Sequence, residues 1–381
     1  MSGSSILKRN YRTIGRWWWE VDHLIFGLVI GLIGIGIVLS FAASPAVAIR
    51  LQLETFYFVK RQILFACIAL GVFFGVSLIS PQRLKILAWC CYVIIIGLLL
   101  TTLGWGIEIK GARRWLLMGG TSIQVSEFMK PILAILNGAI LAYPLEQNPY
   151  RSLLFSAGIT SIPLLLIIFQ PDFGMAFVIV MTWIVQLFIA GLPLFGLAGF
   201  TCISGMGVYL AYLFLPHVTT RIDQFLSPQV DVLNELYQVT KSLQAFMHGH
   251  LFGRGPGEGL LKNYVPDVHA DFIFAVVGEE FGLVGCLVII LCFSLLLIRC
   301  LQKAFGHPDG LHLLMIAGLS SQLFFQISIN IASSLHLIPT KGMTLPFLSY
   351  GGSSLLAVSL GMGMILSLSR KQVGVWLTQP K

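Results

Sequence analysis

The sequence has little charge for its length. Of its 381 residues only 10% are Asp, Glu, Lys or Arg, while 56% are hydrophobic, and the mean hydropathy is +0.87. Soluble domains carry about 25% charged residues, so this chain lacks the polar surface that would coat a water-soluble globule. The composition excludes an ordinary soluble protein and indicates one that uses lipid as part of its solvent.

The sequence also lacks paired cysteines. Its seven cysteines all fall inside apolar runs, and none belongs to a Cys-x-x-Cys pair or stands beside a histidine pattern that would bind a metal. This distribution is typical of small apolar packing residues. We therefore predict neither a disulfide framework nor a zinc site.

Long apolar runs are what the sequence has instead. A spanning helix needs about 17–25 mostly apolar residues, and ten segments meet this condition. A basic N-terminal segment, 1–21, precedes them and contains three tryptophans suited to a membrane interface. We predict an all-α polytopic membrane protein with one ten-helix domain over 22–368 and a tail over 369–381. The predicted spans are 22–43, 62–80, 84–104, 128–144, 152–169, 173–191, 193–215, 272–298, 310–335 and 343–368.

The distribution of Lys and Arg predicts the orientation of the chain. Ten spans put both termini on one side, and that side carries 12 of the 24 Lys and Arg residues. The other side includes a long loop, 217–271, which the positive-inside rule discounts, and without it that side carries 8. We expect both termini in the cytoplasm. The outer connections 104–127, 217–271 and 335–343 are rich in glycine, proline, charge and aromatic residues, as functional loops are.

The first outer loop carries a cluster of charged residues. Arg113 and Arg114 have planar guanidinium groups that suit phosphate. Glu127 and Lys130 are three residues apart at the predicted start of a helix, so they can pair on one face, and Ser126 could cap this helix. The alternative is interfacial charge beside a capped helix, and the residues alone leave both interpretations open.

The large outer loop ends in a candidate catalytic residue. Asp271 stands at the predicted N-terminus of the eighth helix, where the helix dipole favours the ionised carboxylate and partial burial opposes it. Such a carboxylate suits a general base, although an N-cap aspartate needs no function. His269 is a second candidate base, with an interfacial structural role as the alternative. A glycine-rich stretch, 253–259, fits neither the P-loop nor the dinucleotide-binding spacing and is expected to turn the backbone sharply.

Two further segments bring polar groups within reach of the membrane. Glu279 and Glu280 lie about 12 Å below the start of the eighth helix, where carboxylates are functional candidates; pairing with an Arg or Lys of the outer loops is the alternative. The segment 337–354 contains two prolines and three glycines, which predict an interrupted helix that lines a cavity. Lys341 adds a cation there, and Ser349, Ser353 and Ser354 add hydroxyls.

Four parts of the sequence together resemble the SEDS family of shape, elongation, division and sporulation proteins. The matching strings are KGARRW with IQVSEFMK, QPDFG at 170–174, YVPDVHADFIFAVVGEEFGLVG, and PTKGMTLPFLSYGGSS. They occur in order over nearly the whole chain, with the ten spans expected of the family. The last string is more similar to the division branch, FtsW, than to the elongation branch, RodA.

The resemblance implies a peptidoglycan glycosyltransferase that polymerises lipid II on the outer face of the bacterial inner membrane. The 4-hydroxyl of an acceptor glucosamine would attack the anomeric carbon of a muramyl sugar linked to undecaprenyl pyrophosphate. The resemblance gives the role of catalytic base to Asp271. Arg113, Arg114, Lys130 and Lys341 are then assigned to pyrophosphate. The predicted substrate-binding set is completed by Glu127, His269, Ser349 and Ser353.

The resemblance also implies accessory factors and partners. Mg²⁺ or Mn²⁺ would support the activity without an organic cofactor, and no ligands can be named for it. A cognate class B penicillin-binding protein would supply transpeptidation, together with other division proteins at the septum, and no nucleic acid is expected. Members commonly have Thr before the aspartate and Glu after the proline, where this chain has Ala270 and Asp267, so no role is assigned to those side chains.

Two other hypotheses remain beside the polymerase. A lipid II flippase would need a polar path through the whole membrane, and the short, chemically bare cytoplasmic loops disfavour it, although Glu279 and Glu280 are deep enough to line part of a path. A non-enzymatic scaffold for division proteins would tolerate any change at Asp271. An elongation-branch polymerase is the alternative within the family.

Overall fold

The computed structural model is predominantly helical. It describes residues 15, 17–109, 112–142, 149–192, 194–214, 219, 223, 235–260, 264–265, 268–339 and 342–370. Lys341, a predicted pyrophosphate contact, lies outside the described residues, as do Asp267, the segment 1–14 and the tail from 371.

Ten helices of the described residues match the ten predicted spans in order. α1 and α9 continue about two turns beyond their predicted ends, and α11 begins at Gly352 rather than at residue 343. Residues 343–351 are not helical, so the predicted interruption is present but the span that follows it is shorter than predicted. The helices are α1 His23–Arg50, α2 Tyr57–Ser77, α3 Pro81–Trp105, α4 Ser126–Ala142, α5 Pro149–Phe169, α6 Phe173–Ile189, α7 Leu194–Phe214, α8 Glu235–Gly249, α9 Ile273–Phe305, α10 Gly310–Ser334 and α11 Gly352–Leu368, of which α8 belongs to the large loop.

The helices have the lengths and surfaces of membrane spans. Six of them, α1, α2, α3, α5, α9 and α10, are long and apolar enough to cross a membrane by length and composition. Their outward faces are apolar and exposed, as at Val93 and Ile94 of α3, which is the surface that lipid covers. The chain is therefore a polytopic membrane protein.

The helix α10 is the most buried of the six long spans. It packs against α4, α6, α9 and α11, and 72% of its most apolar window is buried. Small residues allow the close approach: a Cβ on Gly138 of α4 would lie 2.8 Å from the backbone nitrogen of Met315. Gln186 of α6 donates to backbone carbonyls of both α4 and α10, so a buried amide joins three helices.

A small antiparallel sheet occupies the connection between α3 and α4. Its strands are β1 Ile107–Ile109, β2 Ala112–Met118 and β3 Thr121–Gln124, in the order β1-β2-β3. Trp115 lies opposite Gln124, and Glu108 lies opposite Arg113. The all-α prediction missed this sheet. We call the end of the bundle that carries it the sheet end; the described residues of the large loop and residues 342–351 lie at the same end.

Both ends of the described chain lie at the opposite end of the bundle. Trp17 is buried and donates from Nε1 to Ser77 Oγ at 3.0 Å, so it is a core residue and not the interface anchor predicted for it. Arg370 donates to the carbonyl of Ile79 at 2.8 Å. An even number of crossings is consistent with this arrangement.

An ion-pair cluster around the buried carboxylate of Asp22 joins α1 to α9 at the opposite end. Asp22 caps α1, accepting from Leu24 and Ile25 N–H groups, and its Oδ2 lies 2.8 Å from Arg299 and 2.9 Å from Lys303. Burial acts to raise the pKa of Asp22, but the hydrogen bonds from these two cations outweigh it and lower the pKa to about 2.

Candidate active site

Asp271 lies at the sheet end, where α9, α10 and the segment before α11 meet. The helix α9 begins at Ile273 with Phe272 as its N-cap, so Asp271 precedes the capping position and the N-cap interpretation is wrong. Its side chain is half-buried. Asn330 of α10 donates to the main-chain carbonyls of Asp271, at 3.0 Å, and Met343, at 2.6 Å. A Cβ on Gly342 would lie 3.5 Å from Asp271 Oδ2, so this segment lies against the carboxylate.

His269 is packed between aromatic rings two residues before Asp271. Its ring centroid lies 4.7 Å from that of Phe58 and 5.0 Å from that of Tyr350. Its carbonyl accepts from the Tyr350 N–H at 2.9 Å. Only 5% of the residue is exposed, so these contacts favour the structural interpretation of His269 over a role as a second base.

The predicted pair of Glu127 and Lys130 is present and buried. Lys130 Nζ lies 2.8 Å from Glu127 Oε2, and the exposed fractions of the two side chains are 1% and 8%. Lys130 also donates to Gln326 Oε1 at 2.8 Å. Ser126 is itself the first residue of α4, and its buried hydroxyl has no hydrogen-bond partner within the part of the chain that the structure describes, so the prediction that it caps the helix is wrong.

Gln326 connects Lys130 to the segment before α11. Its Nε2 donates to Ser354 Oγ at 3.1 Å and to the Thr344 carbonyl at 3.3 Å. Thr344 Oγ1 donates to Ser354 Oγ at 2.7 Å. Asn330 binds the carbonyls of the neighbouring Met343 and of Asp271, so Gln326 and Asn330 link Lys130 through this segment to the main chain of Asp271.

The other two candidate serines hold the same segment in place. Ser349 Oγ accepts from the Leu345 N–H at 2.8 Å, which closes a turn. Ser353 Oγ accepts from the Gln124 N–H at 3.0 Å, which ties α11 to the end of β3. Both hydroxyls thus bind backbone in this structure.

Arg113 and Arg114 diverge because neighbouring strand residues point to opposite faces. Arg114 donates to the carbonyls of residues 170–171 and forms an ion pair with Asp172 at 3.8 Å. It therefore fastens the sheet to the turn between α5 and α6. Arg113 is more exposed and pairs across the strands with Glu108 at 3.4 Å, which leaves it nearer to solvent.

Glu279 and Glu280 bind backbone amides of the glycine-rich stretch. Glu280 Oε2 accepts from Gly257 N–H at 3.0 Å, and Glu279 Oε1 accepts from Leu260 N–H at 2.8 Å. Both side chains are buried. A main-chain donor of the glycine-rich stretch thus binds one oxygen of each carboxylate, and pairing with an Arg or Lys of the outer loops stays a prediction.

The described residues do not by themselves form a metal site. No three His, Cys, Asp or Glu side chains come together among them in a group that would hold a metal ion. Among the residues that the structure describes, we therefore name no ligand for the accessory cation.

Sequence reasoning missed two residues that organise this site. Gln326 bridges Lys130 to the segment before α11. The sequence feature that could have indicated it is a polar amide within an apolar span. Asp172 caps α6 by accepting from the Met175 N–H and also accepts from Gln124 Nε2 at 3.0 Å. The sequence feature that could have indicated Asp172 is a carboxylate directly after a proline between two apolar spans.

The chain is similar to known proteins over most of its length. The family model of FtsW/RodA/SpoVE cell cycle proteins matches residues 22–373. The probable peptidoglycan glycosyltransferase FtsW of Caulobacter vibrioides is 39% identical over 367 residues, which are 95% of this chain and 93% of that protein. Stage V sporulation protein E of Bacillus subtilis is 36% identical over 368 residues, covering 92% and 97%.

Solved structures resemble the whole fold. The rod shape determining protein RodA of Thermus thermophilus matches with a TM-score of 0.67 and 26% identity, covering 92% of this chain and 97% of that one. A chain from a peptidoglycan synthase complex, described as coordinating polymerization and crosslinking, matches with a TM-score of 0.77 and 28% identity over the same shares.

Proposed function

The chain belongs to the FtsW/RodA/SpoVE family of cell cycle proteins, and from this we propose that it is a peptidoglycan glycosyltransferase that polymerises lipid II. It is a multi-pass membrane enzyme of the FtsW type. The observation that carries the proposal is the position of the half-buried Asp271 carboxylate against Gly342. Gly342 begins the segment that Gln326 connects by hydrogen bonds to Lys130.

Asp271 acts as the general base in this proposal. The 4-hydroxyl oxygen of the acceptor glucosamine forms a bond to the anomeric carbon of the donor muramyl sugar, and its proton passes to the Asp271 carboxylate. The bond from that carbon to the pyrophosphate oxygen breaks, and undecaprenyl pyrophosphate leaves with the electron pair. Asn330 supports the reaction by anchoring the Asp271 backbone, because a base must be held within hydrogen-bond reach of its proton.

Cations at the sheet end stabilise the leaving pyrophosphate. Lys130 is held by Glu127 and Gln326 in a buried place, where a charge acts more strongly than in water. Arg113 is more exposed than Arg114 and Lys130. Arg114 and Lys341 remain proposed contacts, and Arg114 would also keep the sheet in position. Mg²⁺ or Mn²⁺ remains a proposed accessory ion.

The proposed location follows from the substrate and from the polar sheet end. We assign the sheet end to the outer face of the inner membrane and both termini to the cytoplasm, since the lysines and arginines favour that orientation. A class B penicillin-binding protein is the proposed partner, which the similarity to a chain of a synthase complex supports. The FtsW-like relatives support work at the division septum.

The test is polymerisation of purified lipid II by the protein with its cognate transpeptidase. We expect Asp271→Asn to reduce the glycan chains on a gel to a residual trace while the protein folds normally. Glu54→Gln is the matched control, because Glu54 is an exposed carboxylate beside Lys60 near the sheet end. Equal chains from Asp271→Asn and wild type would remove Asp271 from the mechanism. Omitting divalent cations from the same assay tests the accessory ion.

The alternatives make different predictions in the same preparation. A flippase would move labelled lipid II between leaflets without forming chains, and a scaffold would do neither. Glu279 Oε1 and Glu280 Oε2 each accept from a main-chain amide, which supports a structural role for these side chains over the lining of a transport path. An elongation-branch polymerase would make chains but would rescue loss of rod shape and not loss of septation.

A further inference from the structure

The helix α9 is longer than a membrane span and is broken near one end. Its 33 residues would extend about 50 Å, against a hydrocarbon core of about 30 Å. The break is at Gly282, with φ 66° and ψ −163°, a conformation open almost only to glycine. The part beyond the break, 273–281, leads to Asp271, and residues 273–280 are all buried.

A loop from elsewhere in the chain supplies the main-chain hydrogen bonds that are missing at this break. In an uninterrupted helix the N–H groups of Leu283 and Val284 would bond to the carbonyls of Glu279 and Glu280. Here those N–H groups donate instead to the carbonyls of residues 250–251, at 3.0 and 3.1 Å. The two orphaned carbonyls accept from the N–H groups of residues 254–255, at 3.0 and 3.1 Å. All four groups are satisfied, as buried backbone requires.

Two carboxylates strengthen the same contact. The side chains of Glu279 and Glu280 accept from the N–H groups of Leu260 and Gly257. Hydrogen bonds to a carboxylate are stronger than those between neutral groups. Both side chains are at most 2% exposed, so water does not compete for them.

Glycines make this docking sterically possible. A Cβ on Gly253 would lie 2.1 Å from the Glu280 carbonyl oxygen, and one on Gly282 would lie 2.4 Å from the Gly253 nitrogen. Neither position admits a side chain without moving backbone. The docking is therefore a direct contact between two main chains, and the pattern of apolar and polar side chains does not predict it.

We infer that Glu279 and Glu280 are positioning residues for polymerisation, acting through the loop 250–260. By holding that loop in the break of α9, they fix the direction of the segment 273–281 and so the place of Asp271. If the loop leaves, the ladder of α9 can close across the break, and the segment that carries Asp271 then turns. This inference rests on the proposed role of Asp271 as the base.

Hydrogen exchange of the purified full-length protein tests the docking. Gly282→Ala favours an uninterrupted helix and clashes with Gly253, so we expect the amides of residues 254–260 to exchange about tenfold faster or more. Gly97→Ala is the matched control, since a Cβ there meets nothing within 4 Å in α3. Unchanged exchange in Gly282→Ala would overturn the inference.

Lipid II polymerisation tests the positioning role. We expect Glu280→Leu to lower kcat by about tenfold to a hundredfold with KM nearly unchanged, because the base moves and the substrate contacts do not. Glu280→Gln keeps an acceptor for Gly257 and should lose less. Faster exchange with an unchanged kcat, or a loss confined to KM, would contradict the role. Both Glu280 variants give the result independently if Gly282→Ala fails to fold.

A double variant separates this inference from the proposed function. In an Asp271→Asn background we expect Glu280→Leu to cause no further loss of the residual rate, because both changes act on one base. A further tenfold loss would show that Glu280 acts by another route. If Asp271→Asn alone polymerises like wild type, Asp271 is not the base. The positioning role of Glu280 is then wrong as well, although the exchange data can still confirm that the loop docks on α9.

Discussion

Lys130 and Glu127 form an ion pair whose two side chains are almost wholly buried. Removing two ions from water costs several kcal/mol each, and their attraction repays this only when further hydrogen bonds are made. Gln326 supplies one to Lys130. A pair this buried contributes little to stability relative to apolar residues, so its presence favours a chemical role for the cation.

A double variant tests this interpretation of the pair. We expect Lys130→Met and Glu127→Gln each to destabilise the protein by about 3 kcal/mol, because each leaves its partner charge unpaired. The combined variant should recover most of that stability and still make no glycan chains. Thermal unfolding in detergent and the lipid II assay measure the two effects, and an active double variant would exclude Lys130 from pyrophosphate binding.

The arginines illustrate where prediction from single residues stops. Arg113 and Arg114 share a residue type and adjacent positions, so both were predicted to have the same role. Strand geometry separates them: Arg114 fastens β2 to the carbonyls of residues 170–171 and Arg113 pairs with Glu108. The pairing of Glu127 with Lys130 was predictable, because three residues along one helix fix their proximity without any long-range contact.

Among the helices, α1 and α9 are joined at the opposite end by one buried carboxylate. Asp22 both caps α1 and binds Arg299 and Lys303. The contact fixes the position of α9 far from its break, so the helix is held at two places. The direction of the segment beyond Gly282 is then set by the loop and not by movement of the whole helix.

The pKa of Asp22 predicts a stability change at low pH. The pKa is lowered from 3.8 to about 2 in the folded protein, so its contribution is complete above about pH 4 and is lost as the pH falls through about 2. We expect Asp22→Asn to cost about 2 kcal/mol at neutral pH and to remove this part of the acid dependence. Unfolding measured from pH 7 to 2 checks both, with Glu54→Gln as an exposed control of little effect.

For the whole molecule, composition and apolar runs predict the ten helices, their order and the common end of the polar loops. Three features were not predictable: the sheet of residues 107–124, the late start of α11 at Gly352 and the docking of residues 250–255 on α9. The docking and the turn before α11 use hydrogen bonds between main chains that are distant in sequence, which no local period encodes. The sheet consists of short neighbouring strands beside long apolar spans that dominate the local pattern. The motif strings located Asp271, but its contacts with Asn330 and Gly342 needed the fold.

The segment before α11 also reaches the middle of the bundle. A Cβ on Gly36 would lie 2.2 Å from the Phe347 carbonyl oxygen, and Gly36 is about 20 Å along an α1 of about 42 Å. Phe347 is buried and has a φ of 65°, a strained conformation for a bulky residue. The segment that lies against Asp271 is thus shaped partly by the first helix.

Because of this contact, mutations at Gly36 and in the segment 343–351 should interact genetically. We expect an allele carrying Gly36→Ala to fail to complement loss of the chromosomal copy, although the change lies far from Asp271 in sequence. Gly34→Ala, which meets nothing within 4 Å, should complement fully, and full complementation by Gly36→Ala would contradict the contact. Second-site suppressors of the Gly36 allele should then map to residues 343–351. Selection for growth, starting from a change in the first helix, would thus identify residues of the segment that lies against Asp271.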